Sequence, residues 1–280
     1  MTTEQPLAGG MYDDGRVVRV GDTVRRPIRA SSAAAQALLV HLEAAGFDAA
    51  PRFLGVDDQG REILTFIDGD VPLPPYPAWA LTERAMSGLG GLLRRFHDAS
   101  ASFDASQVAG WSTAWSDPRG GPLVCHNDLF PENVVFRDGL PVALIDFGEA
   151  APGRPAWDLA IASEVWAPLT APTGRLGHQR DLDAVRRVGL LAAGYGIEPA
   201  RAAELVDVVF EQRARSQANL RAEVAAGDEV MTEYWRTHGG DTQAAADDAW
   251  LRDQRTALIE AIANSPRGSS RPPGPRAAAR

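Results

Sequence analysis

The sequence predicts an α+β fold with two lobes, in which a small N-terminal antiparallel β-sheet with one helix precedes a larger, mainly helical part. Short β-rich runs separated by turn residues fill the first 70 residues, and long segments with helical spacing of apolar residues dominate after residue 80. Between them, the proline-rich residues 71–77 interrupt regular structure. We therefore predict three regions: an N-terminal lobe (1–70), a C-terminal lobe (71–264) and a disordered tail (265–280).

The N-terminal lobe is predicted to contain a β-hairpin, one helix and two further strands. Gly21 lies in the turn of the hairpin, and Gly46 ends the helix. The predicted strands are 16–20, 23–26, 53–56 and 62–67, and the predicted helix is 33–45.

The C-terminal lobe is predicted to consist of helices around one further hairpin. Its first helix carries a stripe of apolar residues at helical spacing, which indicates a core helix, and His97 near its end is interpreted as structural. A long connection, residues 99–122, follows. The low-complexity tail lacks acidic residues, so we expect it to be disordered. The predicted helices are 80–98, 155–166, 181–195, 199–226, 228–237 and 241–264.

The most informative stretch is residues 123–148, LVCHNDLFPENVVFRDGLPVALIDFG. His126, Asp128 and Asn133 have the spacing H-x-D-x-x-x-x-N, and Asp146 begins the triplet D-F-G. Both patterns occur in kinase catalytic loops. In this order and at this separation they predict a phosphoryl-transfer site.

The residues between the two patterns explain the spacing. Two apolar β-rich runs flank the turn dipeptide Asp138-Gly139, which predicts a β-hairpin. A hairpin brings its ends together, so Asn133 at the entry and Asp146 at the exit lie close to one another. Both offer oxygen ligands, which Mg²⁺ requires. We predict that this pair holds the metal ion.

Three neighbouring residues receive different predicted roles. Asp128 is the candidate catalytic base, because a carboxylate on this loop can accept the proton of a substrate hydroxyl. His126 is expected to hold the catalytic loop by hydrogen bonds. Cys125 follows two apolar residues, and free cysteine is commonly buried, so a packing role is favoured over a Cys-His nucleophile.

The segments HNDLFPEN and LIDFGEAAPGRPAWDLA resemble the aminoglycoside phosphotransferase and choline-kinase-like group of small-molecule kinases. These enzymes share the protein-kinase-like fold. The resemblance extends from about Arg16 to the last helices, and its specific residues lie between His126 and Asp158. It implies ATP and Mg²⁺ as cofactors, and it implies that Asp158 steadies the catalytic loop; a plain helix-start carboxylate is the alternative interpretation.

The resemblance also implies where the nucleotide is bound. The second strand ends Arg25-Arg26, where kinases carry a phosphate-binding lysine, and alternation allows only one of the two arginines to face the cleft. We predict Arg25. The backbone around Thr65 and Ile67 falls where a kinase hinge contacts adenine. The helix glutamate that braces the basic residue in related kinases is missing, because the matching turn contains Gln36.

A glycine loop that could cradle phosphates is poorly marked. Gly9, Gly10 and Gly15 do not give the spacing G-x-G-x-x-G. A frayed terminus explains these glycines equally well.

Composition narrows the functional classes. A net charge of −9 argues against a nucleic-acid surface, and the single cysteine excludes a disulfide framework. Residues 1–10 lack signal-peptide features and no apolar run approaches the ~20 residues of a membrane span, so we predict a cytoplasmic protein without a membrane partner. The chain contains no lysine, and all 28 basic residues are arginine. An arginine must therefore contact the phosphates.

These observations predict an ATP-dependent phosphotransferase acting on a hydroxyl group of a small molecule, such as an aminoglycoside-like antibiotic, an amino alcohol or a sugar. A nucleotide-binding pseudokinase with a regulatory or scaffold role is the alternative. No A-P-E triplet follows D-F-G, so a peptide-binding platform is not expected. We predict that the acceptor binds against the C-terminal helices, whose candidate carboxylates are Asp207, Glu211, Glu223, Asp228, Glu229 and Glu233.

Overall fold

The structure is a computed structural model that describes residues 3–7 and 16–266. The predicted glycine loop at Gly9, Gly10 and Gly15 lies outside the described residues, as does the predicted tail from residue 267 onwards.

The N-terminal part is a five-stranded antiparallel sheet in the order β1-β2-β3-β5-β4. The predicted hairpin and the two later strands are present. The edge strand β1 was not predicted, because two residues are too few to show a strand pattern. Helix α1 (Ser32–Ala44) connects β3 to β4. The strands are β1 (Gln5–Pro6), β2 (Val18–Val20), β3 (Thr23–Pro27), β4 (Phe53–Val56) and β5 (Arg61–Thr65).

Four short strands lie in the second part of the described chain. β7 (Val134–Arg137) and β8 (Leu140–Leu144) form the predicted hairpin. β6 (Leu123–Cys125) pairs with β9 (Ala151–Gly153), and this antiparallel pair was not predicted. Strand β9 therefore separates the D-F-G segment from the next helix.

Six helices of the described chain complete the fold. The first begins at Glu83 rather than residue 80, because the side chain of Thr82 accepts a hydrogen bond from the backbone N–H of Ala85 and caps it. The other predicted helices agree within a few residues. The helices are α2 (Glu83–Ser100), α3 (Pro155–Trp166), α4 (Ala184–Tyr195), α5 (Ala202–Ala226), α6 (Glu229–Thr237) and α7 (Gly240–Asn264). Among residues 3–7 and 16–266, none of the helices combines the length and apolarity that crossing a bilayer needs.

The segment that follows β5, which we call the hinge segment, is hydrogen-bonded to the hairpin of β7 and β8. The backbone of Asp70 exchanges two hydrogen bonds with that of Phe136, at 2.9 and 2.8 Å. Gly69 has φ of +149°, and a Cβ atom there would lie 2.5 Å from the carbonyl oxygen of Phe136. Only glycine permits this close approach. The hinge segment and the hairpin therefore have a defined relative position.

One hydrophobic cluster runs through both parts of the chain, from α1 residues such as Leu38 to α7 residues such as Ile262. The predicted boundary near residue 70 lies between β5 and α2. The division into two lobes at that point stays a prediction, because the buried cluster is continuous across it.

Glycines bring α2 and α4 into close backbone contact. A Cβ atom at Gly90 would lie 2.2 Å from the carbonyl oxygen of Leu191, whereas one at Gly91 would meet its nearest neighbour, the carbonyl oxygen of Gly194, at 3.7 Å. The first distance is a severe clash with backbone, and the second is an ordinary contact.

We expect Gly90→Ala to lower the free energy of unfolding by roughly 2 kcal/mol or more, because the helices must separate. Gly91→Ala is the matched control on the same helix, and it should be neutral or stabilise by up to about 1 kcal/mol through helix propensity. Urea unfolding of both variants measures the difference. Equal effects would show that the close contact carries no energetic constraint.

Candidate active site

The catalytic loop between β6 and β7 is held by one buried carboxylate. Asp158, on the first turn of α3, has no exposed surface. Its side chain accepts hydrogen bonds from the backbone N–H groups of His126 at 2.8 Å and Asn127 at 2.9 Å, and from Nε2 of His97 at 2.9 Å. Burial opposes the ionisation of Asp158, but the hydrogen bonds and other electrostatic interactions with His97 and His126 outweigh it, so the pKa of Asp158 is lowered. Asp158 thus fixes the start of the loop.

His97 extends this network to α4. Its Nδ1 lies 2.9 Å from the hydroxyl of Tyr195, and both side chains are buried. A neutral imidazole that donates from Nε2 to Asp158 can accept the tyrosine proton at Nδ1. His97 was predicted to be structural, and its two hydrogen bonds link α2 to α3 and α4 behind the loop.

His126 links the loop to the end of the hairpin. Its Nε2 donates to the carbonyl oxygen of Ile145 at 3.0 Å, and its Nδ1 accepts from the backbone N–H of Asp128 at 3.3 Å. Burial lowers the pKa of His126, so the neutral form with one donor and one acceptor is favoured. The buried Cys125 thiol donates to the carbonyl oxygen of Arg154, and burial raises its pKa, which disfavours the thiolate.

The hairpin brings the two predicted metal ligands together. Val134 is opposite Leu144 in the register, and the backbone N–H of Ile145 donates to the carbonyl oxygen of Asn133 at 2.9 Å. Asp146 follows immediately, with φ of 58°. Such a left-handed conformation is uncommon outside glycine and turns the Asp146 side chain at the strand end. A carboxylate and an amide at this point match the oxygen ligands of Mg²⁺.

The predicted base lies beside this pair. The side-chain amide of Asn133 donates to the backbone carbonyl of Asp128 at 3.0 Å. Burial raises the pKa of Asp128 to about 7, and the negative charges of Asp146 and Glu149 add to the increase. A carboxyl group titrating near neutral pH is a better proton acceptor than an ordinary aspartate.

The predicted orientation of the two arginines on β3 is wrong. Arg26, not Arg25, faces the site, and its Nη1 donates to Oδ1 of Asp146 at 2.9 Å. Arg25 leaves the opposite face of the strand, where it donates to the Thr23 hydroxyl at 2.6 Å and lies 3.6 Å from Asp57. Strand alternation was the correct argument, but the choice of face depends on how β3 sits against the second part of the chain.

A glutamate that the sequence analysis missed contacts the same arginine. Glu62 on β5 is fully buried and accepts from Nε of Arg26 at 2.5 Å and from the side-chain amide of Gln36 at 2.7 Å. Glu62 lies directly opposite Arg26 in the β3–β5 register. The available signal was that Glu62 begins a predicted strand and that strand alternation places it on the same face as Leu64.

The two residues predicted at the hinge differ in their surroundings. The backbone N–H of Thr65 donates to the carbonyl oxygen of Arg52 at 3.0 Å, and the Thr65 hydroxyl accepts from Arg52, so that N–H is already used within the sheet. The N–H of Ile67 has no acceptor among the described residues. Nucleotide contact by Ile67 stays a prediction, whereas Thr65 is removed as an N–H donor.

Most of the candidate acceptor carboxylates on the C-terminal helices are engaged elsewhere. Asp207 pairs with Arg255, Glu211 with Arg154, and Glu233 with Arg236, at 2.8, 3.1 and 2.6 Å. Asp228 caps α6 by accepting from the backbone N–H of Met231. Glu223 and Glu229 are exposed.

A different group of polar residues lies near Asp128. The hydroxyl of Tyr76 donates to Glu132 at 2.9 Å, and its ring centroid is 5.2 Å from that of His178. The pKa of Tyr76 is raised by burial and then by Glu132, Tyr234 and Asp128, which places these groups in one region. We call Tyr76, Glu132, His178 and Tyr234 the polar wall. The proline-rich sequence of residues 71–77 predicts only an interruption of regular structure, so it carries no signal for the position of Tyr76.

The comparisons with known proteins agree with this architecture. The model of the "Phosphotransferase enzyme family" matches residues 104–205. A trifolitoxin immunity protein from Rhizobium leguminosarum bv. trifolii is 32% identical over 279 residues, which are 94% of this chain and 100% of that protein.

Two solved structures share the fold. A choline/ethanolamine kinase family protein from Mesorhizobium loti has a TM-score of 0.59 at 16% identity, over 93% of this chain and 92% of that one. The ADP-bound aminoglycoside phosphotransferase APH(2'')-Ib has a TM-score of 0.52 at 13% identity, over 93% and 94%. At such identities the likeness concerns the fold alone.

The fold is that of the small-molecule kinases that share the protein-kinase-like architecture. The chain belongs to the phosphotransferase enzyme family.

Removing the Asp158 carboxylate should destabilise the protein strongly. Asp158→Ala leaves two backbone N–H groups and one imidazole without an acceptor, so we expect a loss of about 3 kcal/mol or more in the free energy of unfolding. Asp98→Ala is the control, because Asp98 is exposed and, among the residues that the structure describes, pairs only with Arg94 on α2; its loss should stay within about 0.5 kcal/mol. Denaturant unfolding at pH 7 tests this, and similar losses would contradict the assigned role.

The raised pKa of Asp128 predicts a pH-dependent stability difference. The folded protein holds this proton up to pH about 7, whereas the unfolded chain releases it near the ordinary value of 3.8. Parent stability therefore falls as pH rises through this window, and Asp128→Asn lacks that fall. From pH 5 to pH 8 the variant should gain about 1–3 kcal/mol relative to the parent. A pH-independent difference in unfolding free energy would contradict the raised pKa.

Proposed function

We propose that this chain transfers the γ-phosphate of ATP to a hydroxyl group of a small molecule. The observation that carries this proposal is the position of Asp128, which Asp158 and His126 hold beside the hairpin end where Asn133 and Asp146 meet. A base, two metal ligands and a cation that faces them are the parts that phosphoryl transfer requires.

Each part has a defined task. Asn133 and Asp146 would hold Mg²⁺, which neutralises phosphate charge when bound. Arg26 would position the phosphates from β3. Asp128 accepts the hydroxyl proton while the acceptor oxygen bonds to the γ-phosphorus, and the bridging oxygen leaves with ADP. The pKa of Asp128 near 7 supports this transfer, because the carboxylate form is populated at neutral pH and is basic enough to take the proton.

Nucleotide binding is supported by two observations. The structurally similar aminoglycoside phosphotransferase APH(2'')-Ib was solved with ADP bound. In this chain, the hinge segment with Ile67 is fastened to the catalytic hairpin through Asp70 and Phe136, so a nucleotide held there has a defined distance from Asp146.

We place the acceptor against the polar wall. Glu132 contributes to the raised pKa of Asp128, and Tyr76 connects Glu132 to His178. The Nε2 atom of His178 is buried and has no hydrogen-bond partner among the described residues. A polar, hydroxyl-bearing molecule would satisfy this atom and contact the Glu132 carboxylate. The prediction that C-terminal helices contribute is kept through Tyr234 of α6, while the exposed carboxylates are set aside.

The contact between Arg26 and Glu62 weakens the argument for the pseudokinase alternative. That alternative rested on a missing lysine, a missing helix glutamate and a poorly marked glycine loop. The contact between Arg26 and Glu62 supplies a basic and an acidic residue in place of the first two, and the glycine loop lies outside the described residues. The base and both candidate metal ligands are present in the sequence.

A more specific version follows from the relative with 32% identity. That protein is named for immunity to trifolitoxin, and the match covers its whole length. We propose accordingly that the acceptor is an antimicrobial compound, and that phosphorylation of its hydroxyl group inactivates it.

The test is ATP consumption by the purified chain with Mg²⁺ across a panel of aminoglycosides, peptide antibiotics, amino alcohols and sugars. With an active acceptor, Asp128→Asn should lower turnover by roughly 10²-fold or more while Mg·ATP affinity stays nearly unchanged. Asp138→Asn, in the exposed turn of the same hairpin, is the matched control and should keep parent activity. Turnover of Asp128→Asn within a few-fold of the parent would overturn the assignment of the base.

A further inference from the structure

Glu62 is a buried charge whose two oxygens are both occupied. It has no exposed surface, and it accepts from Nε of Arg26 at 2.5 Å and from Nε2 of Gln36 at 2.7 Å. Burying a carboxylate without a cation beside it is costly, and Arg26 supplies that cation. The pair is therefore built into the fold and is not an incidental surface contact.

The sheet register determines the direction of Arg26. Arg26 and Glu62 are directly opposite on neighbouring strands, so their side chains leave the sheet on the same face. Because Nε is held by Glu62, the rigid guanidinium plane is oriented, and Nη1 reaches Oδ1 of Asp146 at 2.9 Å. The Arg26 side chain is only 14% exposed, so few other directions are open to it.

We infer that Glu62 is the positioning residue for Arg26, and that the brace for the phosphate-directed cation comes from strand β5 instead of helix α1. Gln36 of α1 supports the carboxylate as a neutral amide donor. This inference rests on the proposed function, in which Arg26 contacts nucleotide phosphates.

The consequence of losing Glu62 follows from the remaining contacts. Asp146 would be the carboxylate still paired with Arg26. The guanidinium would then turn towards Asp146 and compete for the oxygen that the proposed mechanism assigns to the metal ion. Both phosphate binding and metal binding should weaken, although neither ligand residue has changed.

The first experiment measures nucleotide affinity by calorimetry with Glu62→Gln, an isosteric change. We expect the dissociation constant for Mg·ATP to rise about ten-fold, as loss of one charge-assisted hydrogen bond predicts. A rise should persist for ATP in EDTA, because Arg26 acts on the phosphates directly. Arg25→Gln, on the outer face of the same strand, is the control and should bind as the parent does.

The second experiment exchanges the two side chains. Gln36→Glu combined with Glu62→Gln keeps the net charge and the number of donors and acceptors, and the amide at position 62 can still accept from Arg26 and donate to position 36. We expect the double variant to recover affinity to within roughly three-fold of the parent. Gln36→Glu alone places two carboxylates together and should bind less tightly than the double variant.

The outcomes separate the two levels of inference. A parent that does not bind Mg·ATP overturns the proposed function, and with it the role of Glu62. A parent that binds, together with Glu62→Gln of equal affinity and lower unfolding free energy, shows that Glu62 is only structural and overturns this inference alone. If Glu62→Gln does not fold, Gln36→Met tests the same support, with a roughly three-fold loss expected and unchanged affinity counting against it.

Discussion

The site depends on the hydrogen bonds that the buried carboxylate of Asp158 accepts. This carboxylate accepts hydrogen bonds from two consecutive backbone N–H groups of the catalytic loop and from His97. Loop backbone groups are usually satisfied by solvent, and burying them requires a fixed acceptor. Asp158 supplies that acceptor from α3, and His97 carries the connection to Tyr195 on α4. The position of Asp128 is therefore set by the packing of three helices.

The opposite side of the site depends on a strand register. Arg26 and Glu62 meet because β3 and β5 are paired in the register that places them opposite each other. An arginine carries a donor, Nε, close to its own strand, so a neighbouring strand can hold it while the guanidinium still reaches Asp146. The chain contains no lysine, and the carboxylate that holds the arginine in its place, Glu62, lies on the neighbouring strand.

The carboxylates of the C-terminal helices were predicted to bind the acceptor, but several of them form ion pairs with arginines. Asp207, Glu211 and Glu233 are paired with arginines, which suits the solvated surface of an arginine-rich chain. The carboxylate of Glu132 lies closer to the proposed chemistry, where it accepts from Tyr76 and contributes to the raised pKa of Asp128. The proximity of a carboxylate to Asp128 therefore indicates which one could contact the acceptor, and the number of carboxylates on a helix does not.

The sequence by itself determined the catalytic hairpin, the juxtaposition of Asn133 with Asp146 and most helices, because turn residues and apolar periodicity are local signals. It also located Asp158 at the start of α3. The tertiary structure alone decided that Arg26 and not Arg25 faces the site, that Glu62 braces it, and that β6 pairs with β9. Those features depend on which segments, distant in the chain, lie beside one another, and residue spacing within a segment carries no information about that choice.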